Sequence, residues 1–197
     1  MAATTGLTAR RPAVHLSLVR TEGETRVAPA SGTTTRIGII GSGGIAKAHA
    51  RAYKEIEGVE IVAVSDVVDG KAGAFIDELE LHGAKAFTDH AQALAESHLD
   101  GVSVCTPNVA HHRVSVDALN AGVHVLTEKP MAVTLDQAVE MEQTSRRTGK
   151  ILTIGFQPRY DPNMVMLKEL IQSGALGKVY YVETGGGRRR GMPGGTF

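Results

Sequence analysis

From Arg36 onward the chain alternates between two hydrophobic rhythms. Short apolar runs, rich in β-branched residues, read as buried strands: Ile37-Gly-Ile-Ile40, Glu60-Ile-Val-Ala-Val-Ser65, Ala86-Phe87, Gly101-Val-Ser-Val-Cys105, His124-Val-Leu-Thr127 and Ile151-Leu-Thr-Ile154. Between them lie longer stretches whose apolar residues recur every three or four positions, the period of an amphipathic helix. These predict helices over about 44–55, 70–81 (Ala72, Phe75, Ile76 and Leu79 on one face), a short one through Leu94, 108–121 and 134–148. Local signals mark their ends. Thr88 or Asp89 can cap the third helix, while Gly122 and Gly149 suit the ends of the fourth and fifth. Asp161-Pro162 should open a helix with the stripe Met164, Leu167, Leu170 and Ile171, ending at Ser173-Gly174. Gly177-Lys-Val-Tyr-Tyr-Val-Glu183 reads as a further strand. Strict strand–helix alternation predicts an α/β fold, a doubly wound parallel sheet with helices on both faces.

Residues 1–35 show no periodicity and are expected to be a disordered extension; 36–156 form the sheet domain, and 157–197 begin a second α+β domain. Bulk chemistry narrows the partners. Lysine plus arginine equals aspartate plus glutamate, 21 each, and tryptophan is absent, which argues against nucleic acid or an anionic membrane as a partner. The one cysteine, Cys105, precludes an internal disulfide framework and suits a reducing compartment. A cytoplasmic location is therefore expected. Arg188, Arg189 and Arg190 form one local basic cluster, suited to an anionic substrate or a neighbouring subunit.

The chemistry concentrates where strands end. The first run passes into Gly41-Ser-Gly-Gly-Ile-Ala46, a G-x-G-x-x-A turn placed between a strand and a helix. Gly41 permits the tight turn, Gly43 lets backbone approach a pyrophosphate, and Ala46 lets the helix pack closely on the strand. Gly44 and Ile45 then present free N–H groups at the positive end of the helix. Twenty residues past Ala46, Asp66 ends the second strand, where a carboxylate can accept hydrogen bonds from an adenosine ribose. The pattern is a Rossmann dinucleotide fingerprint. An aspartate repels a 2′-phosphate, and Val67 and Val68 offer no compensating charge; Lys71 could reach but lies five residues on, so NAD is the expected cofactor over NADP.

Gly41–His49, Thr106-Pro107-Asn108, Glu128-Lys129-Pro130, Gln157–Pro162 and Gly174–Val179 occur in the order and spacing of the Gfo/Idh/MocA oxidoreductases, which the chain resembles over about 36–197. Glu128-Lys129-Pro130 is the most discriminating of these segments. The resemblance implies an NAD(P)-dependent dehydrogenase or reductase acting on a hydroxyl or carbonyl of a sugar, polyol or related small molecule. It implies Lys129 as the catalytic residue beside the nicotinamide. It also implies a second domain on an open, mostly antiparallel sheet, which completes the active site and often makes a homo-oligomer interface. Family members run much longer than this chain, and their acid–base histidine falls in a segment expected beyond Phe197. A truncated chain is thus expected. The alternative reading is a non-catalytic nucleotide-binding regulatory module or an inactive fragment.

Thr106, Pro107 and Asn108 end the fourth strand and are expected to line the nicotinamide groove, although Asn108 could simply cap a helix. His111 is a further cofactor-side candidate, and His49, two turns into its helix, a weaker one. Glu128 could contact the cofactor, orient Lys129 or serve as an ion-pair partner. Arg159 and Tyr160 are substrate candidates by resemblance, with a domain-linking salt bridge and a packed ring as the alternative. Cys105 is expected to be a core thiol, and no group has metal-ligand spacing.

Overall fold

In the computed structural model, which describes residues 34–185, every strand is parallel to its neighbours. The strands are β1 (Thr35–Ile40), β2 (Val59–Ser65), β3 (Lys85–Phe87), β4 (Gly101–Val104), β5 (His124–Thr127) and β6 (Leu152–Ile154). They lie in the order β3-β2-β1-β4-β5-β6, the doubly wound order. The order reverses between β1 and β4, and ligands of such sheets sit in the crevice outside the carboxyl ends at that point.

The helices are α1 (Gly44–Lys54), α2 (Lys71–Glu78), α3 (His90–Glu96), α4 (Asn108–Asn120), α5 (Leu135–Thr148) and α6 (Pro162–Gln172). Side chains of α1 and α2, among them Ala46, Ala50, Ala72 and Phe75, close one core with Ile39 and Val64 of the sheet. Ala93 of α3 and Val114, Ala118 and Leu119 of α4 close the other with Val102, Val104 and Val125. Burial on both faces explains why the strands read as unbroken apolar runs.

Helix ends follow local chemistry closely. Asp89 accepts from the Ala91 N–H at 3.0 Å as the α3 cap. Thr134 and Gln137 make a reciprocal capping box at α5. Gly122 follows the end of α4 with φ +79°, and its N–H and that of Val123 return to the carbonyls of Leu119 and Ala118, a Schellman closure.

One element differs from expectation. Residues 177–183 form no strand; they run as irregular, exposed chain after α6. Val179, Tyr180, Tyr181 and Val182 have strand-forming side chains, but a strand exists only when a neighbour accepts its hydrogen bonds, and none does among the described residues. Likewise α6 forms as predicted, with Asp161 accepting from the N–H groups of Asn163 and Met164, yet it buries no residue. Its periodicity was a correct guide to the helix and no guide to its packing. The expected extension (but for its last two residues) and the arginines at 188–190 lie outside the described residues.

Leu119 is fully buried in the α4-side core. Leu119→Ala should lower unfolding stability by about 2–5 kcal/mol, measured by urea denaturation.

Candidate functional site at the carboxyl edge of the sheet

The first residue past each strand continues the sheet by one hydrogen bond. Asp66 N–H donates to the Phe87 carbonyl, Gly41 to Ser65, Cys105 to Ile40, Glu128 to Val104 and Gly155 to Thr127, all between 2.7 and 3.1 Å. Asp66, Gly41, Cys105, Glu128 and Gly155 therefore stand in one row, about 4.8 Å apart per strand. Sequence positions spread from 41 to 155 become neighbours along one edge.

At the centre of the row the backbone leaves no choice of residue. Gly41 has φ +90°, and a Cβ there would lie 2.7 Å from the Cys105 carbonyl oxygen and 2.9 Å from the Thr106 nitrogen. Only glycine lets the turn after β1 press against the loop after β4. Gly43 and Gly44 differ: Gly43 has an ordinary φ of −78°, and a Cβ on either would meet nothing within 4 Å. Their missing side chains leave free space in front of α1. Among the described residues no side chain caps this helix and its first turn has no acidic residue, so the N–H groups around Gly44 and Ile45 have no partner there. Beside this opening, the buried Thr106 hydroxyl makes no hydrogen bond among the described residues. Free space, unpaired donors and an orphaned hydroxyl fit a bound dinucleotide.

Asp66 is buried at the β2 end of the row. Its Oδ2 accepts from the Ser42 N–H at 2.9 Å and the Ser42 hydroxyl at 2.7 Å, and lies 2.9 Å from Lys71 Nζ. Oδ1 accepts from the Val68 N–H at 3.1 Å. Burial alone would raise its pKa, but the two Ser42 donors, then Lys71, then Val68 outweigh it and hold the carboxyl at about 2, below the ordinary 3.8.

Glu128, also buried, is held differently. Its Oε1 is 2.9 Å from His49 Nε2 and accepts from Gln157 Nε2 at 3.1 Å; its Oε2 accepts from the Lys129 N–H at 3.3 Å. His49 Nδ1 meets Ser103 Oγ at 3.0 Å, and Tyr53 shares that hydroxyl at 2.7 Å. Burial pushes the Tyr53 phenol up despite the lowering effect of the Ser103 bond. This chain of side chains lay hidden in the sequence analysis, where His49 was the weaker histidine. A signal was present: His49 and Tyr53 fall on the same helical stripe as the buried Ala46 and Ala50, and Ser103 interrupts an apolar strand.

His111 is fully buried, with Nδ1 2.7 Å from the Pro130 carbonyl and Nε2 2.9 Å from that of Thr106. It ties the loop after β4 to the loop after β5 from beneath and presents no surface to the groove. Asn108 is the first residue of α4 rather than its cap, which is Pro107. Lys129 and Pro130 are exposed beside buried Glu128. Arg159 and Tyr160 are exposed in a 3-10 turn (Gln157–Tyr160) after β6, within a few residues of Gln157, which holds Glu128. Cys105 is a buried thiol pushed up to about 12 by burial, then by the Glu128 charge. No cluster of three or more metal-ligating side chains exists among the described residues, and no helix there is long and apolar enough to cross a membrane.

Two predictions follow the two carboxylates. His49→Ala strips buried Glu128 of a partner and should cost about 3 kcal/mol in urea denaturation, with Gln recovering part of it. Because the folded pKa of Asp66 is depressed, its contribution to stability is complete above the ordinary 3.8 and is lost as pH falls through about 2. Asp66→Asn should flatten that part of the stability–pH curve, read by denaturation between pH 5 and pH 2.

Against known proteins, the model of the GFO_IDH_MocA family, described as an oxidoreductase family with an NAD-binding Rossmann fold, matches residues 35–156. D-glucoside 3-dehydrogenase of Escherichia coli (strain K12) is 39% identical over 165 residues, covering 82% of this chain and 46% of that protein. Inositol 2-dehydrogenase of Salmonella typhimurium (strain LT2) is 37% identical over 147 residues, 74% of this chain and 44% of that one. Among solved structures, the WlbA dehydrogenase of Chromobacterium violaceum in complex with NADH and UDP-GlcNAcA superposes with a TM-score of 0.72 at 28% identity, covering 78% of this chain and 44% of that one. The chain spans less than half the length of these relatives.

Proposed function

The chain belongs to the Gfo/Idh/MocA oxidoreductase family, and on that premise we propose that it serves hydride transfer between NAD(H) and a hydroxyl or carbonyl of a cyclic polyol or sugar. The observation that carries the reading is the uncapped start of α1, opening at Gly43 and Gly44 into free space where the strand order reverses. In this reading Gly41, Gly43, Gly44 and Ile45 hold the pyrophosphate and Asp66 holds the adenosine ribose. Thr106, Pro107, Asn108 and Glu128 border the nicotinamide end, with His111 fixing the two loops that carry them. NAD(H), when bound, supplies the hydride acceptor or donor.

The chain's own contribution to the chemistry is electrostatic. The Lys129 ammonium hydrogen-bonds the reacting oxygen, lowering the cost of an alkoxide during oxidation and polarising a carbonyl during reduction. Buried Glu128, anchored by His49 and Gln157, fixes the backbone from which Lys129 projects. In this reading Arg159 and Tyr160, exposed and close in sequence to Gln157, meet the substrate. The relatives named for inositol and a glucoside support a six-membered polyhydroxylated ring as the substrate class. Residues 36–156 are the nucleotide domain in this reading, and 157–197 open the domain for substrate and homo-oligomer contacts. Balanced charge and a buried single cysteine support a cytoplasmic protein without nucleic-acid or membrane partners.

Titration with NADH, followed by nicotinamide fluorescence, should saturate. Asp66→Ala should weaken binding about tenfold or more, the scale of hydrogen bonds to a charged acceptor. A folded chain that shows no saturation would refute the reading.

A further inference from the structure

Lys71 has no part in the reading above, yet it makes the closest ion pair to the ribose-binding carboxylate. The turn Asp66–Gly70 folds back on itself: Val68 N–H reaches Asp66 Oδ1, Lys71 N–H reaches the Val68 carbonyl at 3.2 Å, and Gly70 takes φ +74° before α2 begins. Five residues of sequence thereby shrink to 2.9 Å between Lys71 Nζ and Asp66 Oδ2. Asp66 now has four donors. Three come from the fixed frame of Ser42 and Val68, and the fourth is an ammonium on a flexible stem whose side chain is 47% exposed.

Ribose hydroxyls approaching Asp66 compete with these donors, and Lys71 is the one free to yield. An unpaired aspartate at this place would repel a 2′-phosphate, which carries a charge of about −1.5 to −2. Paired with Lys71, the site is neutral, and the displaced ammonium stands beside the 2′ position. A lysine suits this task because it acts as a point charge on a rotatable stem. Val67 and Val68, 87% and 55% exposed, leave the approach open without adding charge. Asp69, exposed in the same turn, is the remaining negative group and keeps the balance toward the unphosphorylated ribose.

Resting on the dinucleotide reading, we propose that Lys71 is the residue that sets discrimination between NAD(H) and NADP(H), turning from Asp66 to the 2′-phosphate so that the site accepts both with NAD(H) the tighter. The test is titration of the chain with NADH and with NADPH in one low-salt buffer, by nicotinamide fluorescence, for the unaltered protein, Lys71→Met and Lys71→Arg, with circular dichroism as the check on folding. Both cofactors should saturate the unaltered chain. Lys71→Met should weaken NADPH about 10- to 100-fold and move NADH by less than about threefold, while Lys71→Arg retains NADPH. Equal losses for both cofactors, NADPH binding indifferent to Lys71→Met, or an unaltered chain that binds NADH alone would each overturn the role of Lys71. A folded chain that binds neither cofactor overturns the dinucleotide reading beneath it, a result distinct from those three.

Discussion

The close approach of two backbones at the point where strand order reverses is the constraint from which the rest of the site follows. Gly41 leaves β1 with φ +90° and touches the Cys105 carbonyl at a distance that no side chain survives. That contact sets where α1 starts, and the start of α1 sets everything that α1 carries. Ser42, the next residue, is thereby delivered to Asp66 with both its N–H and its hydroxyl. About two and three turns further, the same helix lays His49 and Tyr53 over Ser103 of β4 and sends His49 on to Glu128. A single glycine thus positions one partner residue, Ser42 or His49, for each of two carboxylates that lie three strands apart along the sheet edge.

Those carboxylates solve the same problem in opposite ways. Burying a charge demands compensating donors or a counter-charge. Asp66 takes most of its donors from neighbouring backbone and a serine, with one mobile cation as the exposed partner, so its outer side can be exchanged for a ligand. Glu128 is enclosed by a histidine and a glutamine on other elements, and a Cβ on Gly155 would lie 2.8 Å from its Oε1. Among the described residues, no exposed ion partner of Glu128 stands ready to yield. The first arrangement is suited to exchange and the second to rigidity.

Local physics was legible in the sequence and long-range geometry was not. Six strands, their order of appearance and the caps at Asp89 and Asp161 follow from patterns within a few residues, because capping and periodicity are local energies. The glycine turn and Asp66 were legible for the same reason: the fingerprint encodes a strand, a turn and a helix in continuous sequence. His49–Glu128 joins residues seventy-nine positions apart and depends on how α1 lies across β4, which no local pattern states. Lys71 stands five residues from Asp66 in sequence, and only the turn that folds the chain back shows that its ammonium reaches the carboxylate. The segment 177–183 differs for the complementary reason: strand propensity is local, but a strand also needs a neighbour to pair with, and none stands beside it among the described residues.

Adjacent Glu128 and Lys129 show why the order of residues within a motif carries meaning. Glu128 is the first residue past β5, and its N–H still belongs to the ladder through the Val104 carbonyl. Its side chain is committed to the α1 side, where His49 and Gln157 meet it. Lys129 comes one residue later, after the ladder has ended, and its side chain is exposed although its own N–H is held by Glu128. Pro130 follows with its carbonyl fixed by buried His111. Anchors therefore stand on both sides of the lysine, and the side chain is free while the backbone under it is not. In the proposed reading, a flexible ammonium on a fixed base follows the reacting oxygen through small displacements without losing its bearing. Exchanging the two residues would bury the ammonium against His49 and leave the carboxylate in the groove, reversing the charge that the site offers.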